Sequence, residues 1–184
     1  NYIWASGLRN PFGLQFARGI LFTADNGPAV DRFLRLEEGK NYLWDGTNAS
    51  IGTNADAVIY PSDVLAQMAA YPAGSQVFPE SFDGVFFLTV SADPGQVYKV
   101  APAIITIFYD FEAEGVRSVP ETLLRHRGSG IQVLAGSAFG PDGLYFVPMI
   151  PGSSGKSSVL KLQHDADSQY PFLLEGETNP LVLM

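Results

Sequence analysis

Three times along the chain a glycine-containing turn leads into a short apolar strand, and those strands start at Ile20, Val85 and Leu144. The steps between them are 65 and 59 residues. The turns read Arg18-Gly19, Asp83-Gly84 and Gly140-Pro141-Asp142-Gly143. In the first unit, apolar segments at residues 12–17 and 20–24 flank the turn and form a hairpin, because glycine supplies the positive φ that a tight turn needs. Further strand-sized segments follow at residues 32–36, 96–100 and 158–162. A loose repeat of turn, strand, loop and strand predicts an all-β protein made of β-propeller blades, about three of them, each an antiparallel four-stranded sheet. A β-sandwich of similar hairpins is the competing architecture.

The repeat is longer than the ~40–50 residues of common blades, so the blades carry long loops. The obvious insertion is residues 46–73, where Pro61-Ser62-Asp63 suits a helix start and predicts a short helix over 62–70. Residues 32–36 (Arg-Phe-Leu-Arg-Leu) alternate charged and apolar side chains, which predicts one wet face. Residues 1–164 read as the partial propeller, and 165–184 as a C-terminal tail, linker or last strand. The chain opens at Asn1 without a methionine and ends on the apolar run 180–184, which is expected of a chain that continues in both directions.

Composition narrows the function. The chain is 46% hydrophobic and 16% charged, against ~25% charged in an average globular protein, so it has a sizeable core. Net charge is −8, and the densest basic cluster is Arg125-His126-Arg127. Nucleic-acid binding, which needs clustered Lys and Arg to neutralise phosphates, is not expected. There is no cysteine, which excludes disulfides, thiol catalysis, Cys-ligated zinc and iron–sulfur clusters within these residues. No apolar run reaches the ~18 residues of a membrane span.

Two segments carry candidate chemistry. The first is Ser6-Gly7-Leu8-Arg9-Asn10-Pro11-Phe12-Gly13. Arg9 offers a planar fork of donors suited to a carboxylate or quinone oxygen, and Asn10 offers both a donor and an acceptor. The second is Ala24-Asp25-Asn26-Gly27-Pro28, followed by Asp31 and Gly39-Lys40-Asn41-Tyr42-Leu43-Trp44. Asn26-Gly27-Pro28 is a tight turn able to expose consecutive carbonyl oxygens, ligands that a hard cation such as Ca²⁺ accepts. Trp4, Tyr42 and Trp44 are either sugar-stacking or core aromatics.

In order and spacing these motifs resemble the glucose/sorbosone dehydrogenase family of quinoprotein sugar dehydrogenases. The resemblance is carried by residues 1–44 and runs more loosely through 82–100 and 132–162. It implies half of a six-bladed propeller binding pyrroloquinoline quinone (PQQ) and Ca²⁺, which oxidises an aldose or related alcohol by hydride transfer. It also implies a periplasmic or extracellular location. By the same resemblance Arg9, Asn10 and Asn26 contact the cofactor or substrate. Gly27 and Pro28 bind Ca²⁺ through backbone carbonyls, and Asp31 stands behind them near the acidic residue that orients a catalytic histidine. That histidine comes from an earlier blade in the family, and no residue here matches it; His126 and His164 lie outside any family motif. Later blades of the family supply basic side chains to the cofactor, whereas residues 88–95 and 132–139 contain no Lys or Arg, and 88–95 include Asp93. A propeller that kept its shape as a binding or scaffold subunit is the alternative. In either case the chain is expected to need the remaining blades, a dimer mate or a larger complex.

Overall fold

The computed structural model describes residues 2–59, 64–91, 102–126, 134–148, 158–166, 172–175 and 181–183. Its strands form three sheets, each antiparallel throughout. The first contains β1 (Pro11–Ala17), β2 (Ile20–Asp25), β3 (Asp31–Leu36) and β4 (Ala57–Ile59) in that order. The second runs β5 (Leu65–Ala70), β6 (Val85–Val90), β7 (Ala103–Asp110) and β9 (Glu121–His126). The short β8 (Gly115–Val116) sits beside β7. The third runs β10 (Leu134–Phe139), β11 (Leu144–Pro148), β12 (Leu160–His164) and β13 (Phe172–Glu175). A last strand, β14 (Leu181–Leu183), returns to pair with β9 on the outer edge of the second sheet.

These are propeller blades, and the chain is all-β. The first strands of successive sheets lie side by side, β1 against β5 and β5 against β10, so they form the inner edge. The repeat read from the sequence is the strand following each turn: β2, β6 and β11 begin at Ile20, Val85 and Leu144. In the first turn both Arg18 (φ 49°) and Gly19 (φ 78°) take the left-handed conformation, the geometry of a two-residue hairpin turn. Each inner strand also carries a bulge near its start, between Phe12 and Leu14, between Leu65 and Met68, and between Leu134 and Gly136.

Packing is face to face. Phe22 and Phe33 of the first blade meet Phe86 and Tyr109 of the second, with Phe22 and Phe86 ring centroids 4.6 Å apart. The opposite face of the second blade offers Phe87, Ile104 and Leu124 to Leu134, Leu144, Phe146 and Leu162 of the third. Alternate residues of β6 thus feed two different cores, which is why all six are buried. Full burial of each large apolar side chain is worth about 1.5–3 kcal/mol. On the side of the first blade turned away from the second, Trp4 and Leu14 are exposed along an apolar groove that also includes Leu21 and Leu36.

Three expectations are corrected. Within 62–70, residues 65–70 form strand β5, not a helix. Met68 packs into the core shared with the first blade and Ala69 into the core shared with the third, so tertiary packing overrides the local start signal. Residues 32–36 have no wet face: Arg32, Phe33, Leu34 and Leu36 are all buried. The second sheet exceeds four strands, because β14 from the expected tail adds to its edge and β13 completes the third sheet. The strand expected at 96–100 and the acidic residue Asp93 lie outside the described residues; the third strand of the second blade that is described is β7.

Candidate functional site

The two motifs meet where β1 begins and β2 ends, at the inner edge of the first blade. Strand register places Asp25 directly opposite Arg32, and both side chains are fully buried as an ion pair. Arg32 uses all five of its N–H donors. Nε and Nη2 donate to Asp25 Oδ2 at 3.1 and 2.5 Å, and Nη2 also donates to the Gly7 carbonyl at 3.2 Å. Nη1 donates to the carbonyls of Tyr42 (2.7 Å) and Thr53 (3.1 Å). A charge taken fully out of water needs this completeness, since each unsatisfied donor would add its own desolvation penalty.

The other side of the Asp25 carboxylate holds the first motif. Oδ1 accepts the backbone N–H of Asn10 at 2.6 Å and of Arg9 at 3.0 Å, and the Arg9 N–H is shared with Oδ2 at 3.2 Å. The Arg9 side chain turns back, and its Nη1 donates to the Asn26 carbonyl at 2.7 Å. The Asn26 amide in turn donates to the Asn10 carbonyl at 3.0 Å. Arg9 is half-buried, while Asn10 is exposed.

Asn26, Gly27 and Asp31 link this end to the second blade. Asn26 Nδ2 donates to the Leu65 carbonyl at 2.6 Å, and Asn26 Oδ1 is buried with no hydrogen-bond partner. Asp31 Oδ1 accepts the Gly27 amide at 3.0 Å and Oδ2 accepts the Leu65 amide at 3.3 Å, so this carboxylate braces the turn against the start of β5. Gly27 is required sterically: a Cβ there would lie 2.2 Å from the Val30 carbonyl oxygen. Gly27 is buried and Pro28 half-buried.

Arg9, Asn10, Asn26, Gly27 and Pro28 are therefore neighbours, with Asp31 one layer behind. Their chemistry suits a ligand that presents an anionic or carbonyl oxygen to Arg9 and a donor or cation to Asn26 Oδ1. Oxygen donors of this kind fit Ca²⁺, with two backbone carbonyls and one orphaned amide oxygen within a single turn. Among the described residues no cluster of three or more His, Asp or Glu could hold a metal, so further oxygens must come from outside this turn. For a PQQ-like anion, Arg9 is the cation at this turn, since Arg32 is paired with Asp25 and Lys40 with Glu37.

Sequence reasoning missed Asp25 and Arg32. Arg32 shares strand parity with Leu34 and Leu36, both buried, and that parity was the available signal. Tyr42 is a core aromatic, its hydroxyl accepting the Glu37 amide (2.9 Å) and donating to the Arg35 carbonyl (2.6 Å). Trp4 remains half-exposed. His164 lies in β12 of the third blade. A separate pocket lies at the opposite end of the inner strands, between Gln15, Arg18, Tyr71 and Phe139. Arg18 is committed there, paired with Asp83 and stacked on Phe111 at 4.6 Å.

No family profile matches the chain, and no curated protein matches it. Among solved structures it resembles the soluble aldose sugar dehydrogenase of Escherichia coli in its apo form, with a TM-score of 0.60 and 20% sequence identity. The match covers 79% of this chain and 43% of that one, so the chain spans less than half of the protein it resembles. At this identity the likeness establishes the fold.

Proposed function

We propose that the chain is part of a quinoprotein-like sugar dehydrogenase and contributes one wall of its cofactor site. The observation that carries this reading is Asn26 Oδ1, a buried acceptor without a partner. It belongs to the same turn as Gly27 and Pro28, and the Arg9 guanidinium is bonded to the Asn26 carbonyl. A buried polar atom left unpaired costs about 1–3 kcal/mol, which a ligand donor or cation at that point would recover. The fold likeness to an aldose sugar dehydrogenase supports the same reading.

In this reading Arg9 and Asn10 contact the quinone, and Asn26 contacts cofactor or substrate. The Gly27 and Pro28 carbonyls hold Ca²⁺, with Asp31 keeping their turn in place. Bound PQQ with Ca²⁺ supplies the acceptor for a hydride from an aldose or related alcohol. Arg9 favours negative charge on a bound oxygen. The catalytic base and the remaining cationic ligands belong to other blades, and the periplasmic or extracellular setting follows the family. Titrating the protein with PQQ and Ca²⁺ should change the quinone absorbance and give aldose-dependent dye reduction once the remaining blades are present. Absence of PQQ uptake by that assembly would exclude the dehydrogenase.

A binding or scaffold subunit is the second reading. It is a propeller that kept its shape without the cofactor, and the absence of Lys and Arg from residues 88–95 and 132–139 motivates it.

A further inference from the structure

The Asp25 carboxylate does two jobs on opposite sides, and only one of them concerns stability. Its Oδ2 neutralises Arg32. Its Oδ1 gathers the backbone amides of Arg9 and Asn10, and the Arg9 amide also reaches Oδ2 at 3.2 Å. Arg9 is thus clamped at both ends, its backbone on Asp25 and its guanidinium on the Asn26 carbonyl. Arg32 fixes the carboxylate itself: the five bonds of its guanidinium tie β2 to the chain at Gly7, Tyr42 and Thr53.

We infer that Asp25, oriented by Arg32, is the positioning residue that sets the Arg9-Asn10 loop for ligand binding. This rests on the reading above that Arg9 and Asn10 contact the cofactor. It assigns a role to two residues that touch no ligand themselves. The carboxylate is required on chemical grounds. It faces donors on every side, the two loop amides and the Arg32 fork, so it must be an acceptor at both oxygens. In Asp25→Asn one oxygen can still accept from Arg32. The new NH₂ group then faces the Asn10 and Arg9 amides, donor against donor, and of their bonds only the 3.2 Å contact of the Arg9 amide with the remaining oxygen is kept. That substitution therefore loosens the loop more than it disturbs the pair.

Two measurements test the inference together. In the first, amide hydrogen exchange at Arg9 and Asn10 is followed in wild type, Asp25→Asn and Arg32→Lys, without ligand. Exchange at these two amides should quicken by about tenfold or more in Asp25→Asn, while amides of β6 stay protected. In the second, PQQ with Ca²⁺ is titrated by absorbance into the protein assembled with its remaining blades. Affinity in Asp25→Asn should fall about 10–100-fold at temperatures where the variant is fully folded. Unchanged exchange and affinity in folded Asp25→Asn would overturn the inference. So would an affinity loss that follows the unfolded fraction equally in Asp25→Asn and Arg32→Lys. If Asp25→Asn does not fold, wild-type protection decides: rapid exchange at Arg9 and Asn10 would refute the clamp, and protection equal to that of β2 would support it. Wild-type assembly that takes up no PQQ would remove the cofactor reading alone, and quickened exchange in Asp25→Asn would still support the clamp.

Discussion

The first and second blades share topology, bulge position and turn placement, yet they end differently at the inner edge. The first blade closes β2 on Asp25 and Asn26 and buries a complete ion pair there. The second closes β6 on Val90 and Ser91, and between Val85 and Val90 its strand contains nothing ionisable. The second blade is a packing layer between two neighbours. The first packs on the second through Phe22 and Phe33, and it buries its ion pair on the face turned away from them. The residues of β6 that fill two cores leave no position for charge, whereas those of β2 alternate between one such core and the buried ion pair.

The largest test of this contrast sets Arg32→Met against Phe86→Ala. Both should cost about 3–5 kcal/mol, the first by stranding the buried Asp25 carboxylate and the second by opening a cavity. Their rescues should differ. Phe86→Leu should recover most of the loss because the core needs volume, whereas Arg32→Lys should recover little because a single ammonium cannot reproduce the fork. Denaturant midpoints at constant m-value measure both, and equal rescue in the two blades would erase the distinction.

A smaller test compares the turns. Gly19 (φ +78°) has open space around it, and Gly19→Ala should cost about 1–2 kcal/mol for the left-handed backbone alone. Gly84 (φ +82°) would place a Cβ 2.6 Å from the Tyr109 carbonyl oxygen, so Gly84→Ala should cost a further ~1–3 kcal/mol. Thermal unfolding of the two variants should rank them in that order, and a reversed ranking would show the second blade to be the looser one.

The smallest effect concerns a second carboxylate of the first blade. Asp56 accepts the Arg35 amide at 2.6 Å, and burial pushes its carboxyl above the ordinary 3.8 despite that bond and the nearby Lys40 and Arg35. A raised acid favours the folded state most below pH 3.8 and loses that contribution as pH climbs through its folded value. Asp56→Asn should therefore be relatively more stable than wild type at neutral pH than at pH 3. Stability curves that run parallel across this range would rule out a raised Asp56 carboxyl.

The legible part of the fold was the part written in turn chemistry. Gly19, Gly84 and Gly143 precede β2, β6 and β11, and glycine at a tight turn is a local requirement that needs no knowledge of neighbours. The site motifs were legible for a similar reason, as Arg9-Asn10-Pro11 and Asn26-Gly27-Pro28 are contiguous. What escaped depended on partners far along the chain. Arg32 reads as a solvated charge until Asp25 is known to lie across from it. Residues 65–70 read as the continuation of a helix until Met68 and Ala69 are seen to fill two different cores.

The bulge at the head of each inner strand has an evolutionary side. In β1 it falls between Phe12 and Leu14, so the residues presenting the Arg9-Asn10 loop sit on one side of the irregularity and those aligned along the blade sit on the other. A bulge absorbs an extra residue locally, without passing a register shift down the ladder. Loops at this end can therefore lengthen, shorten or change character between descendants while the stacking of blades is inherited intact. Three such joints in one chain make its rim a surface on which new specificities can be tried with little risk to the fold beneath.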